Sequence, residues 1–517
     1  MLTLPNRRTL LTGALALAAS PALGSPAMSA PAPGLKLGPA RPFSFDALKA
    51  RAREMAKAAY AERPPREEAV LDAIDFDAYQ KISYRPELSL WGDVPGAQAV
   101  RLFPMGRYFR DPVSIYMLEG GQAREVVYSP ELFETPPGHP LRKLTKGGFA
   151  GFRLMHADGK SDWMAFLGAS YFRSAGPFDQ YGASARGLAI NSGGPAAEEF
   201  PHFSAFWLEA KPGGVDAYAL LESPSVVGAY RITNRDGGPG GEPVQEIEAE
   251  LNFRAPVETL GLCPLTSMYW YGEAHDELRT DWRPEVHDSD GLAMWTGADE
   301  RIWRPLNNPP RVITNSFVDT NPKGFGLIQR DRNFENYQDD GVFYEKRASL
   351  WVEPMTAFGP GSVRLVELKT VDETNDNIVA FWTPEAKVVA GTVISTRYRI
   401  RWTRDTPPAP GGRRIVATRI GAGGRPGLPP VPGTRKFVID VEGGALKGLT
   451  RQSGVKTVVT ASRGKLSEIY AYPVVGTDRW RMTFDIGDLG GQPTDLRAYL
   501  QRGTEALSET WLYQQFP

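Results

Sequence analysis

The sequence predicts an all-β protein, in which a large sandwich or barrel of antiparallel strands is followed by a smaller immunoglobulin-like β-sandwich. From about residue 76 onward, short runs of alternating apolar and polar residues are separated by Gly, Pro, Asp and Asn. The chain holds 54 glycines and 44 prolines, residue types that tight turns require. Because no strand–helix alternation and no phosphate-binding glycine loop interrupts this pattern, antiparallel sheets are expected.

The first thirty residues have the order of a secretory signal peptide. Arg7 and Arg8 precede an apolar run at residues 13–19, and small residues follow at residues 22–29. The paired arginines indicate the twin-arginine export route. Residues 1–30 are therefore predicted to be a twin-arginine signal, and the mature protein is predicted to be periplasmic.

Elements are expected in the following order. A helix is predicted over residues 45–60, because Ala and Lys are abundant and apolar residues recur on one stripe before Pro64. A second helical stretch is expected over residues 66–74. The strands that alternate most clearly are residues 99–103, 125–128, 203–208, 362–368, 397–402, 415–418, 436–441, 456–460, 480–486 and 496–500.

The chain length favours two folded domains. A total of 517 residues exceeds what one hydrophobic core normally serves. Residues 405–412 contain three prolines and two glycines and are the best linker candidate. The large domain is therefore predicted over residues 38–404 and the immunoglobulin-like domain over residues 413–517.

Bulk properties exclude several classes of function. The formal net charge is −1 and the basic residues are scattered, which gives no electrostatic case for nucleic acid binding. No apolar run is long enough to span a bilayer, so membrane insertion is not expected. The five histidines lack metal-ligand spacing, and neither a metal nor another cofactor is predicted. Oligomeric state is left open.

Polar functional groups gather between residues 264 and 385. Residues 284–291 (PEVHDSDG) carry three carboxylates and one imidazole, and residues 373–377 (ETNDN) carry two more carboxylates. Hydrolysis of a glycosidic bond needs one carboxylic acid and one carboxylate, together with aromatic platforms and hydrogen-bonding groups for sugar hydroxyls. Asp and Asn are also common in turns, so the residues alone leave a structural role open.

Several longer strings in this order resemble the periplasmic glucan biosynthesis G/D family (OpgG/OpgD, MdoG). The resemblance covers the chain from about residue 40 to the C-terminus. The strings are GASYFR (168–173), YGASARGLA (181–189), RPEVHDSDG (283–291), WRPLNNP (303–309), NPKGFGLIQ (321–329) and ETNDNIVAFW (373–382).

This resemblance implies a mutarotase-like sandwich with a long cleft, and action on β-1,2-linked glucan in the making of osmoregulated periplasmic glucans. The family's general acid falls on Asp376 and its base on Asp288. Because proton transfer in the family passes through a sugar hydroxyl or a water chain, the two carboxylates can lie further apart than ~6.5–9.5 Å.

Further residues are candidates for contacts with glucan in the cleft. The aromatic candidates are equally compatible with a place in the core. The set comprises Glu373, Trp295, Arg304, Asn307, Tyr344, Trp351, Trp382, Tyr171 and Arg186.

The sequence leaves alternatives open. An inverting endo-glucanase and a transglycosylase fit equally, because water or a sugar hydroxyl can reach the anomeric carbon. A non-catalytic glucan-binding or scaffold protein that assists a membrane glucan synthase would carry the same cleft. A sugar mutarotase would need a pocket closed around one ring.

Overall fold

The computed structural model describes residues 34–61, 67–238, 240–407, 412–425 and 427–517, and these residues form an all-β architecture. The predicted signal peptide lies outside the described residues. None of the helices in these ranges is long and apolar enough to cross a bilayer. The predicted fold class is confirmed.

The described residues form three α-helices and 34 strands, numbered here in chain order. The helices are α1 Phe45–Ala56, α2 Glu68–Ala73 and α3 Phe76–Tyr79. The strands are β1 Arg41–Pro42, β2 Ser83–Tyr84, β3 Val100–Pro104, β4 Ser114–Glu119, β5 Gln122–Glu125, β6 Phe133–Glu134, β7 Phe149–Met155, β8 Asp162–Leu167, β9 Tyr171–Ser174, β10 Ser184–Arg186, β11 Ala189–Ile190, β12 His202–Lys211, β13 Gly214–Glu222, β14 Val226–Arg235, β15 Val244–Phe253, β16 Leu260–Ser267, β17 Tyr269–Tyr271, β18 Val286–His287, β19 Gly291–Trp295, β20 Arg301–Pro305, β21 Ile313–Thr320, β22 Gly324–Ile328, β23 Ser349–Pro354, β24 Pro360–Glu367, β25 Ile378–Pro384, β26 Val393–Thr403, β27 Arg414–Ala422, β28 Arg435–Glu442, β29 Lys456–Ala461, β30 Lys465–Pro473, β31 Trp480–Gly487, β32 Thr494–Arg502, β33 Glu505–Ala506 and β34 Thr510–Gln515.

Two large sheets pack face to face in the N-terminal part of the molecule. The first runs β1-β5-β4-β12-β13-β14-β15-β26-β23-β22-β19-β20, and the second runs β21-β24-β25-β16-β10-β9-β8-β7-β3. The main hydrophobic core fills the space between them and includes Phe172, Ala185 and Leu265 from the second sheet. Since side chains alternate along a strand, the neighbours of these residues point to the outer face of that sheet.

Helix α1 covers part of the outer face of the first sheet. Leu48 and Ala52 are buried against Trp207 and neighbouring residues of β12, β13 and β14. Ser44 caps the helix by accepting a hydrogen bond from the backbone N–H of Ala47. The helix ends at Ala56, four residues earlier than predicted, and the second predicted helix corresponds to α2.

The C-terminal strands form their own sandwich but also extend the first large sheet. Strands β27, β28, β31 and β30 make one layer, and β34, β32 and β29 make the other. Strand β34 pairs in parallel with β20, through Ile302 with Thr510 and Trp303 with Trp511. The predicted linker lies partly outside the described residues, and it joins two units that share a sheet and a core.

Strand boundaries differ from the prediction in places. Only the first residue of the strand predicted at residues 125–128 lies in a strand, because β5 ends at Glu125. Val126 then forms an isolated bridge with Leu37. Strands β30 and β34, which were not predicted, complete the two layers of the C-terminal sandwich.

Candidate active site

Polar side chains cover the outer face of the second sheet where β9, β10 and β16 lie side by side. Tyr171 and Arg173 on β9 flank the core residue Phe172, so both point outward. Arg186 on β10 is the cross-strand partner of Tyr171, and Ser184 on β10 is the partner of Thr266 on β16. Strand alternation and register thus place five polar residues on one surface.

Asp376 lies above this surface, at the end of the segment that joins β24 to β25. The next residue, Asn377, fixes the segment, because its side chain accepts from the Tyr269 N–H at 2.8 Å and donates to the carbonyls of Tyr269 and Leu368 at 2.9 Å. The Thr266 hydroxyl donates to Asp376 Oδ2 at 3.1 Å. Asp376 is therefore held by its own segment, through Asn377, and by the outer face of the second sheet, through Thr266.

The pKa of Asp376 is raised from its ordinary value. Its side chain keeps solvent-accessible surface, but the protein that surrounds it removes much of the hydration of the charged form. The Thr266 hydrogen bond and the positive charges of Arg186, Arg173 and Arg347 act in the opposite direction. Desolvation outweighs them.

Asp288 lies between β18 and β19 and is buried. Its backbone N–H donates to the Met268 carbonyl at 2.9 Å, and its Oδ1 lies 3.4 Å from Arg347 Nε. Burial raises the pKa of Asp288 to about 6, and the charge of Asp376 adds to this, whereas Arg347 and His287 lower it. The fold therefore brings two carboxylates from distant parts of the chain within electrostatic range of each other.

Arg347 is held in place from several sides. Its Nη1 donates to the Tyr181 carbonyl, and its guanidinium lies 5.0 Å from the centre of the Tyr344 ring. A Cβ atom at Gly182 would come within 2.7 Å of the Arg347 side chain. A side chain at position 182 would therefore displace the Arg347 side chain.

Glu373 anchors the segment that carries Asp376. It accepts hydrogen bonds from Arg283 Nη1 at 2.7 Å and from the Tyr344 hydroxyl. Arg283 also pairs with Asp339 at 2.7 Å and with Asp281 at 2.9 Å. The cluster ties the acid-bearing segment to two neighbouring loops.

An open groove of about 1000 Å³ extends from the polar outer face of the second sheet towards the N-terminal segments. Tyr171, Arg173 and Arg186 line it on the sheet side, and Phe200 and His202 line it on another. The groove is open along its length, unlike a pocket closed around one sugar ring. Its mixture of aromatic, cationic and hydroxyl groups suits a hydroxylated polymer.

The structure brings together six of the eleven residues selected from the sequence: Asp376, Asp288, Glu373, Tyr344, Tyr171 and Arg186. It separates the other five. Trp382 and Trp351, with 0% and 1% of their surface exposed, belong to the hydrophobic cores, and Arg304 forms a buried ion pair with Glu367 at 2.9 Å.

Asn307 and Trp295 also lie away from the cleft. Asn307 is buried and bonded to His275 at 2.9 Å, near the C-terminal unit. The Trp295 ring lies under the Arg301 guanidinium at 3.5 Å and donates to Asp299 at 2.7 Å. These five residues do not reach the groove, because strand packing turns their side chains into the interior or towards the C-terminal sandwich.

Four residues of the cluster were missed by sequence reasoning, namely Arg173, Thr266, Arg283 and Arg347. Arg173 carried a usable signal, since it stands two positions after Tyr171 and therefore on the same face of a strand. Arg347 and Arg283 carried none, because their roles depend on which loops meet.

A second acidic cluster lies next to the first, and we call it the sealed cluster because protein groups satisfy its acids. Glu285 and His287 are buried, and the Asp290 side chain is 20% exposed. Glu285, His287 and Asp290 place ligand-type atoms within 4.8 Å of one another. His287 Nδ1 faces Gln329 Oε1 and Nε2 faces Glu285 Oε2, both at 3.0 Å. Since Gln329 Nε2 donates to the carbonyls of His287 and Tyr344, its Oε1 accepts from His287.

This cluster shares a proton between His287 and Glu285, because burial also raises the pKa of Glu285. Burial would lower the pKa of His287, but the hydrogen bond to Glu285 and the charges of Asp290 and Glu285 raise it to about 9. Both ring nitrogens therefore donate at neutral pH.

Comparisons with known proteins agree with the resemblance. Residues 43–515 match the model of the family described as periplasmic glucan biosynthesis protein, MdoG. The chain is 45% identical to "Glucans biosynthesis protein D 2" of Ralstonia nicotianae over 530 residues, which covers 99% of this chain and 98% of the relative. It is 47% identical to "Glucans biosynthesis protein D" of Xanthomonas oryzae pv. oryzae over 528 residues, with the same two coverages.

A further relative, "Glucans biosynthesis protein D" of Stenotrophomonas maltophilia, is 45% identical over 527 residues, again 99% of this chain and 98% of the relative. A family match over most of the chain and full-length relatives at this identity leave one assignment. The chain belongs to the periplasmic glucan biosynthesis protein MdoG family.

Proposed function

We propose that this protein acts in the periplasm on β-1,2-linked glucan during glucan biosynthesis, as an inverting endo-glucanase or a transglycosylase. The observation that carries the proposal is the pair of carboxylates, Asp376 and Asp288, both within electrostatic range of Tyr171 in the lining of one open groove. Family membership supports the glucan as the polymer that the groove receives.

The environments of the two carboxylates suit opposite roles. Asp376 accepts the Thr266 hydroxyl at Oδ2, which leaves Oδ1 free to carry a proton towards a glycosidic oxygen. A glucan in the groove would displace water and raise the pKa of Asp376 further. Asp376 is thus the proposed general acid.

Asp288 is the proposed general base. With a pKa of about 6 it is mostly ionised at neutral pH, and Arg347 beside it favours the ionised form. An ionised carboxylate can take a proton from water or from a sugar hydroxyl. The acceptor that attacks the anomeric carbon then decides between hydrolysis and transfer.

The test is incubation of the purified protein with linear β-1,2-glucan, and separately with β-1,3- and β-1,4-glucans. We expect shorter or rearranged products from the β-1,2 polymer alone, with the anomeric form of the new ends followed by NMR. Asp376→Asn should bind the polymer and leave it intact, whereas Asp478→Asn, at an exposed position in the C-terminal unit, should behave as wild type.

Two outcomes would contradict the proposal. If wild-type protein binds β-1,2-glucan and never changes it, the protein is a glucan-binding or scaffold component that assists a membrane glucan synthase. If Asp376→Asn retains full turnover, another group supplies the proton.

A further inference from the structure

One large aromatic side chain next to the candidate active site is mostly exposed to solvent. Trp282 is 65% exposed, whereas most tryptophans of the chain are buried or half-buried. Burying an indole removes a large apolar surface from water, so leaving it exposed gives up stability that folding would otherwise gain. Such a ring requires an explanation outside the core.

The backbone around Trp282 is fixed. The Asp281 carboxylate accepts from the Arg283 N–H at 2.9 Å and from Arg283 Nε at 3.1 Å, which clamps the residues on both sides. Arg279 Nη2 donates to the Trp282 carbonyl at 3.0 Å. The ring therefore projects from an ordered turn, so that binding a ligand to it would cost little conformational entropy of the protein.

The turn is connected to both candidate catalytic carboxylates. Arg283 pairs with Glu373, three residues before Asp376, and lies 6.0 Å from the centre of the Tyr344 ring. Arg347, which also contacts that ring, reaches Asp288. Trp282 is thus linked through Arg283 to the segment that carries Asp376, and it does not line the groove with Arg173 and Arg186.

The surroundings of Trp282 indicate a sugar rather than a protein partner. The charged groups of its turn, Arg279, Asp281 and Arg283, are already engaged with one another or with Asp339. A protein hot spot needs an apolar surface around the ring. A pyranose needs one flat apolar face, and hydrogen-bonding groups around it for the hydroxyls.

We propose that Trp282 is the stacking platform of a distal glucan subsite, apart from the groove that Phe200 lines. Phe200, 67% exposed in the groove of about 1000 Å³, would face the other end of the same glucan. The inference rests on the proposed function, since it takes a β-linked glucan as the occupant. Only oligosaccharides long enough to pass the acid pair and reach Trp282 gain from it.

The test measures binding against oligosaccharide length in the Asp376→Asn background, so that cleavage does not interfere. β-1,2-linked gluco-oligosaccharides from the disaccharide upwards are titrated by calorimetry into the parent and into its Trp282→Ala and Trp282→Phe variants. Trp282→Ala should weaken binding of the long members about tenfold and leave the short members unchanged. Trp282→Phe should restore part of the loss, because a flat ring remains.

Control variants distinguish a failure of the distal subsite from a failure of the proposed function. Tyr470→Ala removes a ring that is 51% exposed in the C-terminal unit and should change binding at no length. If Trp282→Ala binds long members as tightly as the parent does, or loses short and long members equally, the distal subsite is wrong although glucan binding stands. If the parent binds no glucan at all, the proposed function and this subsite fail together.

Discussion

Two acidic clusters share the short segment from residue 285 to residue 290, and they differ in almost every physical respect. In the open cluster Asp376 is exposed and Asp288 is buried, and the charges of Arg173, Arg186 and Arg347 act on Asp376. The sealed cluster, Glu285, His287 and Asp290, borders a cavity of about 40 Å³ against the C-terminal strand β27.

The difference shows what makes a carboxylate available for chemistry. In the sealed cluster every negative group has a donor: His287 for Glu285, and the backbone N–H groups of Arg330 and Asp331 for Asp290. In the open cluster Asp376 keeps an oxygen beyond its single hydrogen bond to Thr266. Both clusters take carboxylates from residues 285–290, and the hydrogen-bonding partners of each carboxylate distinguish them.

The largest expected effect follows from replacing the proposed base. Asp288→Asn keeps the shape of the side chain and removes the charge, so turnover should fall by about 10²–10⁴-fold while the fold persists. Stability should change little, because burial already penalises the charged form of Asp288. Product assays with chemical denaturation as the companion measurement check both parts.

A variant that keeps its activity would remove Asp288 from the mechanism. A variant that does not fold would mean that Asp288 stabilises the structure, as Glu285 and Asp290 do.

The sealed cluster should respond in the opposite way. His287→Gln leaves Glu285 and Asp290 without their cation, which should lower the free energy of unfolding by about 3 kcal/mol. Since the folded pKa of His287 is about 9 and its ordinary value is 6.5, this stabilisation is complete below pH 6.5 and is lost as the pH rises through about 9. Denaturation curves across this range measure it.

His156→Gln is the matched control, because His156 and Asp179 form a pair with exposed side chains, which contributes little. A difference between wild type and His287→Gln that does not shrink at high pH would show that His287 is not a buried imidazolium.

A smaller effect is expected from removing Arg347, the cation beside Asp288. Arg347→Met removes a charge that lowers the pKa of Asp288 from 3.4 Å away. The acid limb of the kcat/KM profile, expected near pH 6, should move upward by about one pH unit. Arg425→Met, which breaks an ion pair in the C-terminal unit, should leave the limb in place. An unmoved limb in Arg347→Met would mean that the limb reports another group.

The smallest effect should come from the anchor of the acid-bearing segment. Glu373→Gln keeps an acceptor for Tyr344 and Arg283 but loses the charge, and Glu373 is partly exposed. We expect kcat to fall about fivefold with KM nearly unchanged, because an exposed ion pair contributes modestly. A rise in KM with unchanged kcat would make Glu373 a glucan contact, as the sequence suggested.

Some of this arrangement could be predicted from sequence and some could not. Alternation identified strands such as β12, β24 and β26, and the motifs located Asp376 and Asp288. Alternation failed for Trp382, because β25 is buried on both faces: Trp382 packs in the main core, and Val379 and Phe381 pack in a second cluster. Local pattern carries no information about whether a second layer covers a strand.

The domain boundary shows the same limit at larger scale. The proline-rich stretch near residue 405 falls between the end of β26 at Thr403 and the start of β27 at Arg414. It gave no sign that Trp511 would pair with Trp303 and join the two units into one sheet. That pairing depends on contacts between segments about two hundred residues apart.

The sequence by itself determined the all-β class, the family, and the two aspartates on which the proposed chemistry depends, because these follow from short-range periodicity and from residue strings. The tertiary structure alone decided which carboxylates stay available. Burial, a neighbouring arginine and a donated proton set the state of each acid, and they come from strands and loops that only folding brings together.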